Sequence, residues 1–361
     1  MSGLIFSFLR LKASVKHFRA ENARIVRYDM ATDKGETDFN ECGSTRSFSA
    51  ARPEMTACPD CQRSNPQDRF ECLYCGADLE RDSVAAGKER FVIRKPEIWE
   101  RAFNIIALPD AEISDRQTLT DSVAVFGISP EAIDCAKKFA VPFPLCRVSS
   151  RTAAEAICQR LTRAGVKCDI LDDARLDLKK PPLRIRSLDF TNAQLKFVDF
   201  NTGETLEISR NERITGVLGR LFVSTIEQSG RRRKDAEQRP EITATSRDTA
   251  VLDIFLSDEH RGFRLRADGC DFSGLGREVK FLAEENMRIL IRQLTELCPN
   301  ATIDTTYKDL AGDLAAVWPP DVKIASRGIY RIGFDVRFAK GETTDNTDQF
   351  TRYSRMLSFY L

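Results

Sequence analysis

Four cysteines stand in two Cys-x-x-Cys pairs within TACPDCQRSNPQDRFECLYCGADL, residues 56–79. Cys58 and Cys61 make the first pair, Cys72 and Cys75 the second, and ten residues separate them. Thiolates are soft ligands, and zinc closes a tetrahedron when two tight turns each deliver two sulfurs. The spacing predicts one structural Zn2+ held by Cys58, Cys61, Cys72 and Cys75, with no coordination position left open for a substrate. A redox Cys-x-x-Cys pair opens a helix in a βαβ setting, and two pairs this close do not read that way. Gly76 follows the second pair, where a knuckle turn calls for positive φ. Pro59 sits inside the first turn, and Phe70 is the expected apolar plug beneath the ion. A stretch of about 25 residues cannot build a core alone, so the metal is expected to supply its folding energy.

The other reactive side chains do not assemble into a known reaction. The two histidines, His17 and His260, have no nucleophile motif nearby. A G-x-x-x-x-G-K-[ST] loop is absent, and Gly269, Gly274 and Gly276 lack the spacing of a dinucleotide loop. Asp172 and Asp173 are adjacent, so a strand would point them apart. No catalytic residue and no organic cofactor is assigned. Cys135, Cys146, Cys158 and Cys168 show no turn spacing and read as core thiols. The run Arg231, Arg232, Arg233 and Lys234 lies in a long polar loop, where it could grip phosphate on lipid headgroups or nucleic acid.

Composition narrows the partners. The chain has 361 residues, 42% hydrophobic and 30% charged, with 55 basic against 54 acidic side chains and a net charge of +1. That balance gives no global field to attract nucleic acid or membrane, so such binding would need a local patch. No run approaches the roughly 20 apolar residues of a membrane helix. At the N-terminus the positive charges follow the apolar run Leu4–Leu9, the reverse of a secretory signal. The 11 cysteines are an odd number without a disulfide framework, and a cytoplasmic location is expected.

The length implies several domains. Leu4, Phe8, Leu11, Val15 and Phe18 form a helical stripe on an otherwise basic segment, and residues 4–19 could touch an anionic membrane surface. Residues 1–55 read as this helix and a linker, and 56–80 as the zinc ribbon. A small α/β sandwich follows over 91–178. FNIIAL, SVAVFG, PLCRVS and VKCDIL read as strands. SPEAIDCAKKF is a helix with Ser129 as N-cap and Pro130 at the first position. TAAEAICQRLTRAG is a helix with a Thr152/Glu155 capping box, stopping at Gly165. Residues 181–300 read as antiparallel β: LRIRSLDF, AQLKFVDF, TLEIS, ITGVLGRLFVSTIE, TAVLDIFLS and FRLRA, closed by a long amphipathic helix in GREVKFLAEENMRILIRQLTELCP. Val279, Leu282, Met287, Leu290, Ile291, Leu294 and Leu297 are its expected apolar face. Residues 301–361 form a helical and strand extension, in which Phe350, Tyr353, Leu357 and Tyr360 share one helical face for docking.

The fold class is thus multidomain α+β, and three resemblances accompany it. The ribbon, with its CPxC…CxYCGAxL wording, resembles short zinc-ribbon modules at the ends of many bacterial proteins. Through Asn65 and the spacing around it, the ribbon is also similar to the Ran-binding-protein type of zinc finger, although Thr56 stands where that family has tryptophan. That family binds ubiquitin or single-stranded RNA, and Arg63 and Arg69 are the residues that such an RNA reading would use. The helix–strand–helix–strand section is similar in layout to the C-terminal domain of the ribosomal stalk protein, a docking surface for other proteins. The 181–298 segment resembles the pleckstrin-homology-like fold in its order of elements. Together these imply a non-catalytic adaptor or regulator with a protein partner. The alternatives are a nucleic-acid-binding protein using the ribbon and the 231–234 loop, and an enzyme with a site at the interface of the α/β and β domains.

Overall fold

The computed structural model describes residues 55–361 except 67–68, 78, 80–95, 111–116, 118, 121–122, 124–125, 192, 232–240, 258 and 333–334. The described residues belong to one compact unit, Pro53–Leu361. The N-terminal helical stripe and its linker lie outside them.

Strands β1 (Met55–Ala57) and β2 (Ser64–Pro66) pair antiparallel and form the hairpin of the cysteine module. The α/β part begins with β3 (Phe103–Ala107) and continues through helix α1 (Pro130–Phe139), β4 (Phe143–Val148), α2 (Arg151–Arg163) and β5 (Cys168–Asp172). The sheet order is β4-β3-β5, with β3 antiparallel to both neighbours. Pro130 opens α1 with Glu131 in its first turn and Lys137 and Lys138 in its last, as the helix dipole favours.

Two local expectations are corrected. The cap of α2 is Ser150, whose hydroxyl accepts from the Ala153 N–H at 3.3 Å, and not Thr152. Ser150 is the last extended residue, so Thr152 already lies in the first turn, and Glu155 pairs with Arg151 at 2.9 Å instead of closing a box. The described residues of the SVAVFG run are not extended: Val123 is helical and Phe126–Gly127 is a turn with Gly127 at φ 66°. A short apolar run does not distinguish a strand from a buried helix segment.

The large sheet contains β6 (Leu183–Phe190), β7 (Gln194–Asp199), β8 (Thr205–Ser209), β9 (Ile214–Arg231), β10 (Glu241–Leu256), β11 (Glu259–Arg266), β12 (Ala301–Asp304), β13 (Asp321–Ile332) and β14 (Asp335–Asp345). Its order is β13-β14-β9-β10-β11-β6-β7-β8, with β12 added beside β9. The antiparallel expectation needs correction, because β11–β6 and β12–β9 run parallel. Two three-stranded meanders are joined side by side, and the last strand of the second meets the first strand of the first in the same direction. The sheet cannot be flat. Only residues 210–213 join β8 to β9, which spans at most about 18 Å. Those strands stand five places apart, about 24 Å across a flat sheet. The sheet therefore curls, and helix α4 (Ala283–Leu297) fills the hollow with Met287, Leu290 and Leu294 against Ile185, Leu195 and Phe197.

Helix α4 starts later than its apolar pattern suggests. Gly276 sits at φ 58° and breaks the preceding 3-10 turn, so Val279 and Leu282 are exposed rather than on the apolar face. The buried Asn286 side chain clamps the loop that leads into α4. Its Oδ1 accepts from the Lys280 N–H at 2.6 Å, and its Nδ2 donates to the Lys280 carbonyl at 2.9 Å.

The opposite side of β9 is covered by α5 (Tyr307–Leu314) and α6 (Thr347–Tyr360). Phe350, Tyr353, Met356 and Leu357 are fully buried there, and the half-buried Tyr360 donates to Asp169 at 2.8 Å. Gly219 of β9 allows this approach: a Cβ at that position would run into the Phe350 ring. Gly219→Val is expected to lower stability by about 1–3 kcal/mol through overpacking, measured by denaturant unfolding, while Gly219→Ala costs less. A neutral Gly219→Val would show that α6 does not sit where described.

Two ionic clusters pin α6. Arg264 forks onto Asp253 with both bonds at 2.7 Å, and Ser354 donates to the same carboxylate at 2.7 Å. Asp173, the first residue of a one-turn helix α3 (Asp173–Leu176), accepts from Arg147 at 2.6 Å, Asn104 at 2.8 Å, Arg352 at 3.1 Å and the Ala102 N–H at 3.1 Å. Trp318 donates to Asn104 at 2.9 Å, which ties the residues just after α5 into the same cluster. The adjacent Asp172 points elsewhere, to the exposed Arg101 at 2.5 Å, so the two carboxylates do diverge.

The outer halves of β9 and β10 leave this core. Residues 222–229 and 242–248 contain no fully buried side chain, and β13 and β14 pair onto that part of β9. The result is a four-stranded arm with both faces open among the described residues. The register places Ile226, Ile242, Val322 and Ile324, all exposed, on one face of it.

Candidate metal centre

The β1–β2 hairpin carries the first cysteine turn at its tip, and the second turn packs against it. Cys58 accepts from Gln62 and donates to Arg63 through the backbone, and Cys72 does the same with Gly76 and Ala77. Each turn needs one residue in the left-handed region. Gly76 supplies it at φ 73°, and Gln62 supplies it in the first turn at φ 58°.

The four sulfurs converge. Cys58 Sγ and Cys75 Sγ are 3.6 Å apart, Cys61 Sγ and Cys72 Sγ 3.5 Å apart, and all four lie within 4.8 Å of one another. A tetrahedron of ~2.3 Å metal–sulfur bonds has edges of about 3.8 Å, so the set is sized for one ion. Among the described residues this is the one group of three or more such ligands close enough to share a metal. Cys158 and Cys168 are neighbours elsewhere, and Cys135, Cys146, Cys158 and Cys168 all pack against the main core.

Asn65 locks the two turns together. It is fully buried, donates to the Arg63 carbonyl at 2.8 Å and to Cys72 Sγ at 3.4 Å, and accepts from the Leu73 N–H at 2.8 Å. The electrostatics of the thiols follow. Desolvation opposes ionisation of Cys72, but N–H groups of Tyr74, Cys75 and Asn65 aimed at its sulfur outweigh that and bring it to about 6. A backbone N–H from Ala77 favours the Cys75 thiolate, yet desolvation and the three neighbouring sulfurs push it up to about 12. A divalent cation removes this conflict by letting all four ionise together.

Asn65→Ala is expected to weaken metal binding about 10–100-fold by freeing the second turn. Competition with a chromophoric chelator measures this, and an unchanged affinity would remove Asn65 from the site. The sequence located Asn65 by spacing but not its role, which depends on a strand bringing it beneath the second turn.

The expected plug is corrected. Phe70 is 3% exposed but inserts into the main core with Ile105 and Phe143, anchoring the module to the α/β part. The residue packed under the cysteines is Leu79, at 2% exposure, with Ala77 beside it. Its backbone N–H donates to the Phe70 carbonyl at 2.8 Å, which holds Leu79 beside the cysteine turns.

The outer surface of the second turn is apolar and open. Leu73 is 52% and Tyr74 55% exposed, and the Arg63 guanidinium stacks over the Tyr74 ring at 4.8 Å. Arg231 ends β9 opposite Arg337, whereas Arg232, Arg233 and Lys234 lie outside the described residues, as does the 4–19 segment. No helix among the described residues is long and apolar enough to cross a membrane. No family model, curated protein or solved structure matches the chain.

Proposed function

We propose that the chain is a non-catalytic adaptor whose cysteine module, stapled by one structural zinc ion, docks another protein. The observation that carries this reading is the exposure of Leu73 and Tyr74 on a turn whose every other constraint is internal. The four sulfurs converge within 4.8 Å of one another, Asn65 fixes the backbone, and Leu79 fills the base. Two large apolar side chains held outward on a rigid turn form a preorganised anchor, the type of residue that dominates binding energy at interfaces. Four thiolates complete the shell, so the ion serves structure rather than reaction, and an all-sulfur tetrahedron favours zinc. The free thiols of the ten described cysteines suit a reducing compartment, which supports a cytoplasmic location.

The experiment is affinity capture from the native host's lysate, treated with nuclease, comparing the wild type with Leu73→Ser/Tyr74→Ser. That double variant leaves every metal ligand in place. A defined protein retained after nuclease and lost in the variant supports the adaptor. Equal capture by both proteins, or no specific capture, overturns it.

A second reading has its own observation. The Arg63–Tyr74 stack resembles the cation–aromatic platforms on which single-stranded nucleic acid bases lie. Capture lost on nuclease treatment, with affinity falling steeply as salt rises, would put nucleic acid in the partner's place.

A further inference from the structure

The loop that leads into α4 presents apolar side chains to solvent almost one after another. Val279 is 44%, Phe281 101% and Leu282 54% exposed, and Lys280 between them is exposed as well. Single exposed apolar residues are ordinary, but three within four positions form a patch that calls for a partner. We propose that this loop is a membrane-docking tip: Val279, Phe281 and Leu282 enter the interface of an anionic lipid bilayer, and Arg277, Lys280 and Arg288 meet its headgroups.

The backbone of the tip is already satisfied from within. Asn286 takes both the N–H and the carbonyl of Lys280, at 2.6 and 2.9 Å. The Val279 N–H reaches the Gly276 carbonyl at 3.5 Å, and the Leu282 carbonyl accepts from the Glu285 and Asn286 N–H groups at 3.1 Å each. A loop that enters lipid gives up the water that would otherwise bond its backbone, so these internal bonds lower the cost of entry. They also hold Phe281 outward in one place. A side chain so fully exposed has no neighbour to form a pocket with, and it fits a fluid phase that closes around it.

Charge points to an anionic surface. Two carboxylates beside the tip are engaged: Glu278 accepts from Arg292 at 2.8 Å and from Gln293 at 2.7 Å, and Glu284 accepts at 2.7 Å from Arg220, which also pairs with Asp248. Arg277, Lys280 and Arg288 are exposed and enter neither cluster, against Glu285 as the one exposed carboxylate between Gly276 and Arg288 outside them. The chain as a whole carries only +1, so attraction to a membrane rests on a local group of this kind. The long basic stems can lie along the acyl boundary while their heads stay with the phosphates.

The test is co-sedimentation of the full chain with vesicles of phosphatidylcholine alone and of phosphatidylcholine with about 30% phosphatidylserine. Binding is expected on the anionic vesicles, weakening as salt rises, and at least about ten-fold weaker on the neutral ones. Phe281→Asp should lower binding to the anionic vesicles by at least about ten-fold while unfolding at the wild-type temperature, since the ring packs against nothing. Lys280→Gln should lower it by about five-fold. Phe281→Trp should still bind, with an emission that moves to the blue on the vesicles, read against the wild-type chain and its own two tryptophans. Membrane contact through residues 4–19 instead would leave Phe281→Asp binding as the wild type does. A tip that serves a protein partner instead would give no vesicle binding. Either result, equal partition onto the two kinds of vesicle, or an unmoved Phe281→Trp emission would overturn the proposal.

Discussion

Stripping the metal is expected to unfold residues 55–79 while the large curled sheet keeps its structure. The cysteine module owns almost no core: its buried apolar cluster is Cys58, Cys72 and Leu79, and its strands are three residues long. Structural zinc supplies about 10–16 kcal/mol to such modules, far beyond what three side chains can bury. Each thiol must lose its proton to bind as a thiolate, so affinity is held at neutral and higher pH and lost as pH falls. Elemental analysis of the purified chain should find one zinc per molecule. Limited proteolysis after chelation, or of Cys72→Ser/Cys75→Ser, should then cut within residues 55–79 and spare the rest. A metal-free chain whose module resists protease as before would show that protein contacts alone hold it. The anchor Phe70 limits the damage. Because its ring belongs to the main core, Phe70→Ala should release the module without disturbing the ion.

The second large effect is expected at Asp173. Asp173→Ala removes the shared acceptor of Arg147 and Arg352, whose side chains are 5% and 7% exposed. Breaking a buried pair from one side leaves an uncompensated charge and costs about 3–5 kcal/mol, and here two guanidiniums are left. The loss should exceed that of Asp172→Ala, whose partner Arg101 is largely solvated, and such exposed pairs contribute at most about 1 kcal/mol. Chemical denaturation of the two variants side by side measures the contrast. Equal effects would mean that the Asp173 cluster is hydrated rather than buried. The consequence reaches beyond local stability, since Asp173 joins β3, β4 and α6, which are far apart in sequence.

The cysteine cluster was legible because its information is local: residue identity and spacing suffice to bring four sulfurs together on two turns. Most strands and helices were legible for the same reason, from alternation in LRIRSLDF and from Pro130 and Gly165 as punctuation. What escaped was set by partners distant in the chain. Phe70 and Leu79 are nine residues apart and equally apolar, and only the presence of the α/β core decides which one turns away from the ion. The order of the large sheet escaped likewise, because alternation marks a strand without marking its neighbour. Asp173 and Arg147 carried no pattern at all. A buried ionic cluster looks, in sequence, like scattered surface charge.

The four-stranded arm gives β9 and β10 an uneven life along their length. Near Val217 and Leu252 each backbone bond is sealed between α4 on one side and α5 and α6 on the other. Beyond Val223 and Asp248 the same ladders continue with no described residue packed over either face. Opening the inner half requires dismantling two cores, whereas the outer half can part from its tip and reclose with the rest intact. A single strand should therefore show slow amide exchange at its root and fast exchange toward residues 229 and 242, so that the arm breathes like a frayed rope whose splice never slips.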